Sequence, residues 1–107
     1  MKKDLSIIQT AANVGQSVLT MISTAKNLKT LRKQDTIILQ EELVILRQKC
    51  KQIGIGELTR VSIDEMDKTL KTITIKNYNG EMLDMAMGML QLQYQMLYSN
   101  LQNYKCS

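Results

Sequence analysis

Apolar residues recur along this chain in alternating steps of three and four, the spacing that gathers them on one face of an α-helix, and they do so in four blocks. The last block, Glu81 to Tyr104, is the most informative because it carries two stripes. One runs through Leu83, Met87, Leu90, Tyr94, Leu97, Leu101 and Tyr104, the seam of a left-handed helix pair. The other runs through Met82, Met85, Met89, Leu92 and Met96. At 100° per residue the stripes lie about 160–200° apart, so this helix is apolar front and back and polar along its sides. One neighbouring helix cannot cover both faces.

The first block predicts a helix from Asp4, as N-cap, to about Leu31. Its seam is Ile7, Ala11, Val14, Val18, Met21, Ala25 and Leu28, broadened by Ile8, Ala12, Gly15, Leu19 and Ile22. Gly15 costs about 1 kcal/mol against alanine inside a helix, and close approach of another backbone is the expected compensation. The second block, Asp35 to Gln52, has the seam Leu39, Leu43, Leu46, Cys50 and Ile53, with early acids and late bases as the helix dipole prefers. No Gly or Pro separates the first two blocks, so a break near Lys33 to Thr36 competes with a single fused rod.

Gly54 and Gly56 mark a turn. They lack the third glycine, the lysine and the preceding strand of a phosphate-binding loop. Ser62 and Glu65 have the spacing of a capping box, which predicts a third helix from Ile63 to about Asn77 burying Ile63, Met66, Leu70 and Ile73. The alternation of Lys71 to Lys76, followed by Asn79-Gly80, also fits a β-hairpin, but no partner strand follows and the helix is preferred. The expected fold class is therefore all-α, a small bundle of three to four helices over residues 1–107, with a long C-terminal helix apolar on two faces.

Composition narrows the chemistry. The 107 residues contain no Pro, Trp, Phe or His, so general acid–base work would fall to carboxylates, lysines or tyrosines. Glu41 and Glu42 point about 100° apart on a helix. Asp64, Glu65 and Asp67 cluster where a helix is expected to start and lack calcium-loop spacing. Cys50 sits on an apolar seam and Cys106 near the end of the sequence, too far apart and too few for a zinc site or a disulfide framework. No catalytic residue, metal or cofactor is expected.

The net charge of +4 is mild and mixed with acids, so it does not by itself demand nucleic acid. Met1-Lys2-Lys3 looks like the front of a secretion signal, but Asp4 follows at once. Leu5 to Ala25 is uncharged yet too rich in Ser, Thr, Asn and Gln to cross a bilayer. A cytoplasmic location fits the cysteine usage, and the lysine-rich, proline-free composition leans toward a bacterium or its mobile elements.

Three functional readings follow. In the first, the chain is a non-enzymatic structural or adaptor protein that forms a homo-oligomer or docks another helical protein through Met82, Met85, Met89, Leu92 and Met96. The competing bland outcome folds the last helix between the first and second, leaving no free stripe. In the second reading, a small basic regulator contacts nucleic acid or a nucleic-acid enzyme through Lys26, Lys29, Arg32 and Lys33, against which stands their simple use as bases closing a helix. In the third, the first helix lies on a membrane surface through Ile7, Val14 and Val18.

Overall fold

A computed structural model describes residues 5–54 and 56–103. The N-cap expected at Asp4, the seam position Tyr104 and the second cysteine, Cys106, lie outside the described residues. Four helices account for nearly all of the rest: α1 (Leu5–Leu28), α2 (Lys33–Ile53), α3 (Glu57–Lys76) and α4 (Gly80–Asn103). The segment 71–76 is helical, and no strand occurs among the described residues.

Short turns force successive helices to run antiparallel. Lys49, late in α2, donates to Ser6 and Thr10, early in α1; Asn100, late in α4, donates to Ser62, early in α3; and Tyr94 of α4 donates to Ala11 of α1. Helix pairs α1/α2, α2/α3, α3/α4 and α4/α1 pack side by side, and the diagonal pairs have no Cα atoms within 8 Å among the described residues. The result is an up-down-up-down rod with extents of 46 × 20 × 18 Å. The last helix thus lies between α1 and α3, not between α1 and α2 as the competing bland outcome has it. With every connection this short, α4 can only follow α3 and close the ring on α1, leaving α2 diagonal to it.

Inside the ring the seams meet as the spacing requires. Val14, Met21, Leu39, Leu46, Ile63, Met66, Leu70, Leu83, Leu90 and Leu97 have no exposed surface. Polar residues also occupy seam positions: Thr10 donates to the Ser6 carbonyl, and buried Asp35 accepts two bonds from Arg32.

Helix ends differ from expectation for local reasons. α1 stops at Leu28 because Lys29 turns left-handed, with φ 60°, while its N–H still bonds the Ala25 carbonyl at 2.8 Å. Leu28, the last residue of the helix, is 55% exposed, and beyond the turn Leu31 packs partly buried against the core. The fused rod is therefore excluded, and the break falls at residues 29–32. The Gly54 C-cap of α2, at φ 72°, and the Asn77 C-cap of α3, at φ 52°, match the turns read from the sequence.

α3 begins at Glu57 behind the Gly56 N-cap, five residues before the expected capping box. Ser62 lies inside the helix, where its hydroxyl donates to the Leu58 carbonyl at 3.0 Å and accepts from Asn100 at 2.8 Å. Thr59 and Ser62 extend the buried seam of Ile63 and Met66 by one turn. Being polar, they hide that turn from a hydrophobic pattern.

Candidate interaction face

The two stripes of α4 part company in the bundle. Leu83, Met87, Leu90 and Leu97 are buried, and Tyr94 and Leu101 pack partly buried against the core. Met82, Met85, Met89, Leu92 and Met96 remain 53–73% exposed. The four-helix ring has only one inside, and a helix apolar on two faces can turn only one of them inward.

Met82, Met85 and Met89 form one wall of an open groove of about 490 Å³ between α4 and α3. Its other wall is Glu65, Lys68, Thr69 and Thr72, with Tyr78 at one end. Ala86 also lines it, and its short side chain, between Met82 and Met89 on the same face, gives the groove depth. Gln93 also lines the groove, and its Oε1 atom, buried beneath the surface, accepts no hydrogen bond. Leu58 and Val61 of α3 add exposed apolar surface, and the Asn100 bond to the Leu58 carbonyl ties the start of α3 to the far end of α4. Sequence reasoning found the stripe and missed the groove. Ala86, small amid large neighbours at its spacing, was the signal for it.

Charge is segregated around the rod. Helices α2 and α3 carry acids and bases throughout, whereas α1 has Lys26 alone among its described residues and α4 has Glu81 and Asp84 near its start and no charge from Met85 to Asn103. Depletion of charge together with exposed methionine is the compositional mark of the centre of a protein interface. The flank between α1 and α4 is equally uncharged, and here Gly15 has its explanation. Its neighbour is the ring of Tyr94, not another backbone: the phenol lies over the glycine and donates to the Ala11 carbonyl at 2.9 Å. Burial, and secondarily the nearby Tyr98 phenol, push the Tyr94 hydroxyl above its ordinary value, so it stays a donor.

The basic residues sit elsewhere than expected. Only Lys26 lies in the last turn of α1; Lys29 is in the turn, and Arg32 and Lys33 open α2. Bases at a helix start are opposed by its dipole, so the dipole accounts for Lys26 but not for Arg32 or Lys33. Arg32 is turned onto Asp35 at 3.3 Å. Ile7, Val14 and Val18, the side chains through which α1 could lie on lipid, are buried in the core.

The carboxylates do not converge. Asp64 pairs with Arg47 at 2.5 Å and Asp67 with Lys71 at 3.0 Å, both at the surface. Among the described residues no group of three His, Cys, Asp or Glu side chains could hold a metal, and no helix is long and apolar enough to cross a membrane. Cys50 is buried on its seam, and burial pushes its thiol up, away from the reactive thiolate. Comparison with known proteins finds no matching family model, no similar curated protein and no similar solved structure.

Proposed function

We propose that this chain is a non-catalytic helical interaction protein, structural or adaptor in role, that self-associates or docks a helical partner through the methionine stripe of α4. The observation that carries the reading is that five large apolar side chains in one row stay more than half exposed after the bundle has closed. Their exposure equals about three whole side chains. At about 1.5–3 kcal/mol for each side chain fully buried, covering the row yields roughly 5–9 kcal/mol per copy as an upper bound. Loss of translational and rotational freedom costs about 4–15 kcal/mol, and two such rows, one from each partner, yield roughly 9–18 kcal/mol at the upper bound, of the same order as that cost. Unbranched methionine also adapts to the surface it meets.

The test is the solution mass by light scattering over a dilution series. The natural chain is expected above monomer mass, and the double variant Met85→Glu, Met89→Glu is expected as a smaller species with unchanged helical circular dichroism. An oligomeric mass unmoved by those two charges would overturn the reading.

A second reading is favoured by one observation, the placement of Arg32 and Lys33 at a helix start that has no side-chain cap. With Lys26 and Lys29 they are exposed around the α1/α2 turn, a cluster of bases in which Arg32 is paired with Asp35 and the others are open to a polyanion. Binding to duplex or single-stranded nucleic acid that falls steeply with salt, and is lost when all four residues are replaced by Gln, supports this reading. Affinity indifferent to those replacements removes it.

A further inference from the structure

Sulfur is unevenly distributed over the surface of the bundle. Among the described residues, every large apolar side chain exposed outside α4 is Ile, Leu or Val. The exposed methionines, Met82, Met85, Met89 and Met96, all stand in the single row on α4, while Met21, Met66 and Met87 are buried among leucines in the core. Leucine and methionine exchange in cores at little cost, so apolar character alone does not explain why exposed methionine is confined to one row. What sets methionine apart is its thioether, a soft, polarisable and uncharged donor.

Three of these thioethers share one site. Met82, Met85 and Met89 line the same α3/α4 groove, and each is more than half exposed, hence open to ions in solution. Their helical spacing sets Met85 about 5–6 Å, Cβ to Cβ, from each of the other two. Long side chains on a helix lean toward its N-terminus, so Met89 reaches over the turn that carries Met85, and Met85 over the turn that carries Met82. Met82 and Met89 are separated by about 10.5 Å along the axis at 1.5 Å per residue, which makes Met85 the ligand common to any shared site. Met96 lies two turns beyond Met89 and outside the groove lining.

The donor set selects the ion. A hard divalent cation needs several oxygen ligands, and the facing wall supplies one carboxylate, Glu65, offset by the ammonium of Lys68. Zinc and divalent copper favour imidazole or thiolate, and the chain has no histidine, while Cys50 is buried on its seam. A soft monovalent cation is held by neutral thioethers and brings only one charge into a groove without net charge. We infer that Met82, Met85 and Met89 form a thioether site for Cu(I), with Met85 as the central ligand. The site uses the sulfur of the row and not its apolar area, so it stands independently of whatever docks on the face.

Replacement by leucine tests this because it removes the donor and keeps the apolar side chain. Cu(I), held reduced by ascorbate in the absence of oxygen, is competed against a chromophoric Cu(I) chelator on the full chain carrying Cys106→Ser, which removes the thiol outside the described residues. One Cu(I) per chain is expected, with affinity about tenfold or more weaker in Met85→Leu, lost in the triple variant Met82→Leu, Met85→Leu, Met89→Leu, and unchanged in Met96→Leu. Circular dichroism and light-scattering mass are expected to be the same in every variant, which separates loss of the metal from loss of folding or association. On the natural chain with methyl-labelled methionine, Ag(I), a redox-inert ion of the same class, should shift the methyl resonances of Met82, Met85 and Met89 and leave that of Met96 in place. A chain that takes up no Cu(I), or a triple variant that binds it undiminished, overturns the site and leaves the reading of the stripe as an interface untouched. Shifts that include Met96 equally mean adventitious thioether contact only, and overturn it as well.

Discussion

Replacing Gly15 with alanine probes the contact between α1 and α4 with a result whose sign depends on one other residue. A Cβ at position 15 would come within 2.7 Å of Cζ of Tyr94, well inside van der Waals contact, so the ring must leave its seat. Displacement forfeits the hydrogen bond to the Ala11 carbonyl, worth about 1 kcal/mol net, and overpacking of this kind costs about 1–3 kcal/mol. Against this, alanine is the better helix former by about 1 kcal/mol. The sum is a destabilisation of about 1–3 kcal/mol. In a Tyr94→Ala background nothing occupies the space, and the same Gly15→Ala change should stabilise by about 1 kcal/mol. Urea unfolding followed by circular dichroism measures all four proteins, at one protein concentration because association adds to apparent stability. Stabilisation by Gly15→Ala with Tyr94 present, or the same effect in both backgrounds, would refute the reasoning.

Two further predictions concern the turn and alkaline pH. Lys29 holds a left-handed conformation that L side chains resist, so Lys29→Gly should raise the urea midpoint by up to about 1 kcal/mol of stability, whereas Lys29→Ala should give no such gain. Tyr94 and Cys50 are both raised by burial above ordinary values of 10.0 and 9.0, and each is neutral in the folded protein. The stability they contribute is whole below those ordinary values and is lost as pH rises through the raised ones. Unfolding midpoints should therefore decline from about pH 9 upward, and Tyr94→Phe should flatten the decline above pH 10. A midpoint flat to pH 11 in the natural chain would contradict the assignment.

The sequence disclosed what repeats and concealed what happens once. Seams such as Leu39, Leu43, Leu46 and Cys50, or Leu83, Leu90 and Leu97, were legible because burial of one helical face is written in a periodic pattern. Helix ends were less so. The turn at Lys29 depends on a left-handed lysine without glycine, and its carbonyl accepts from the Gly80 N–H at 3.4 Å, a tertiary contact that no local pattern reports. The apparent capping box at Ser62 misled because the same serine hydroxyl serves equally well inside a helix, bonding the carbonyl four residues back. The candidate face was half legible. Its five apolar residues declared themselves, but the groove arises from where α3 lies beside Ala86, and the side-chain partner of Gly15 lies 79 positions away in sequence, at Tyr94.

The seating of Tyr94 over Gly15 also settles a question that the seams leave open. Rows of Leu, Ile, Val and Met repeating every seven residues hold helices together but hardly distinguish one axial position from the next, and sliding α4 along α1 by a heptad would match apolar side chains nearly as well. Such a slip would bring Ile8 or Ile22 beneath the tyrosine ring, and neither leaves the space that a glycine leaves. One aromatic knob over one missing side chain therefore works as an index mark on an otherwise unmarked scale, turning a set of mutually adhesive helices into a single alignment.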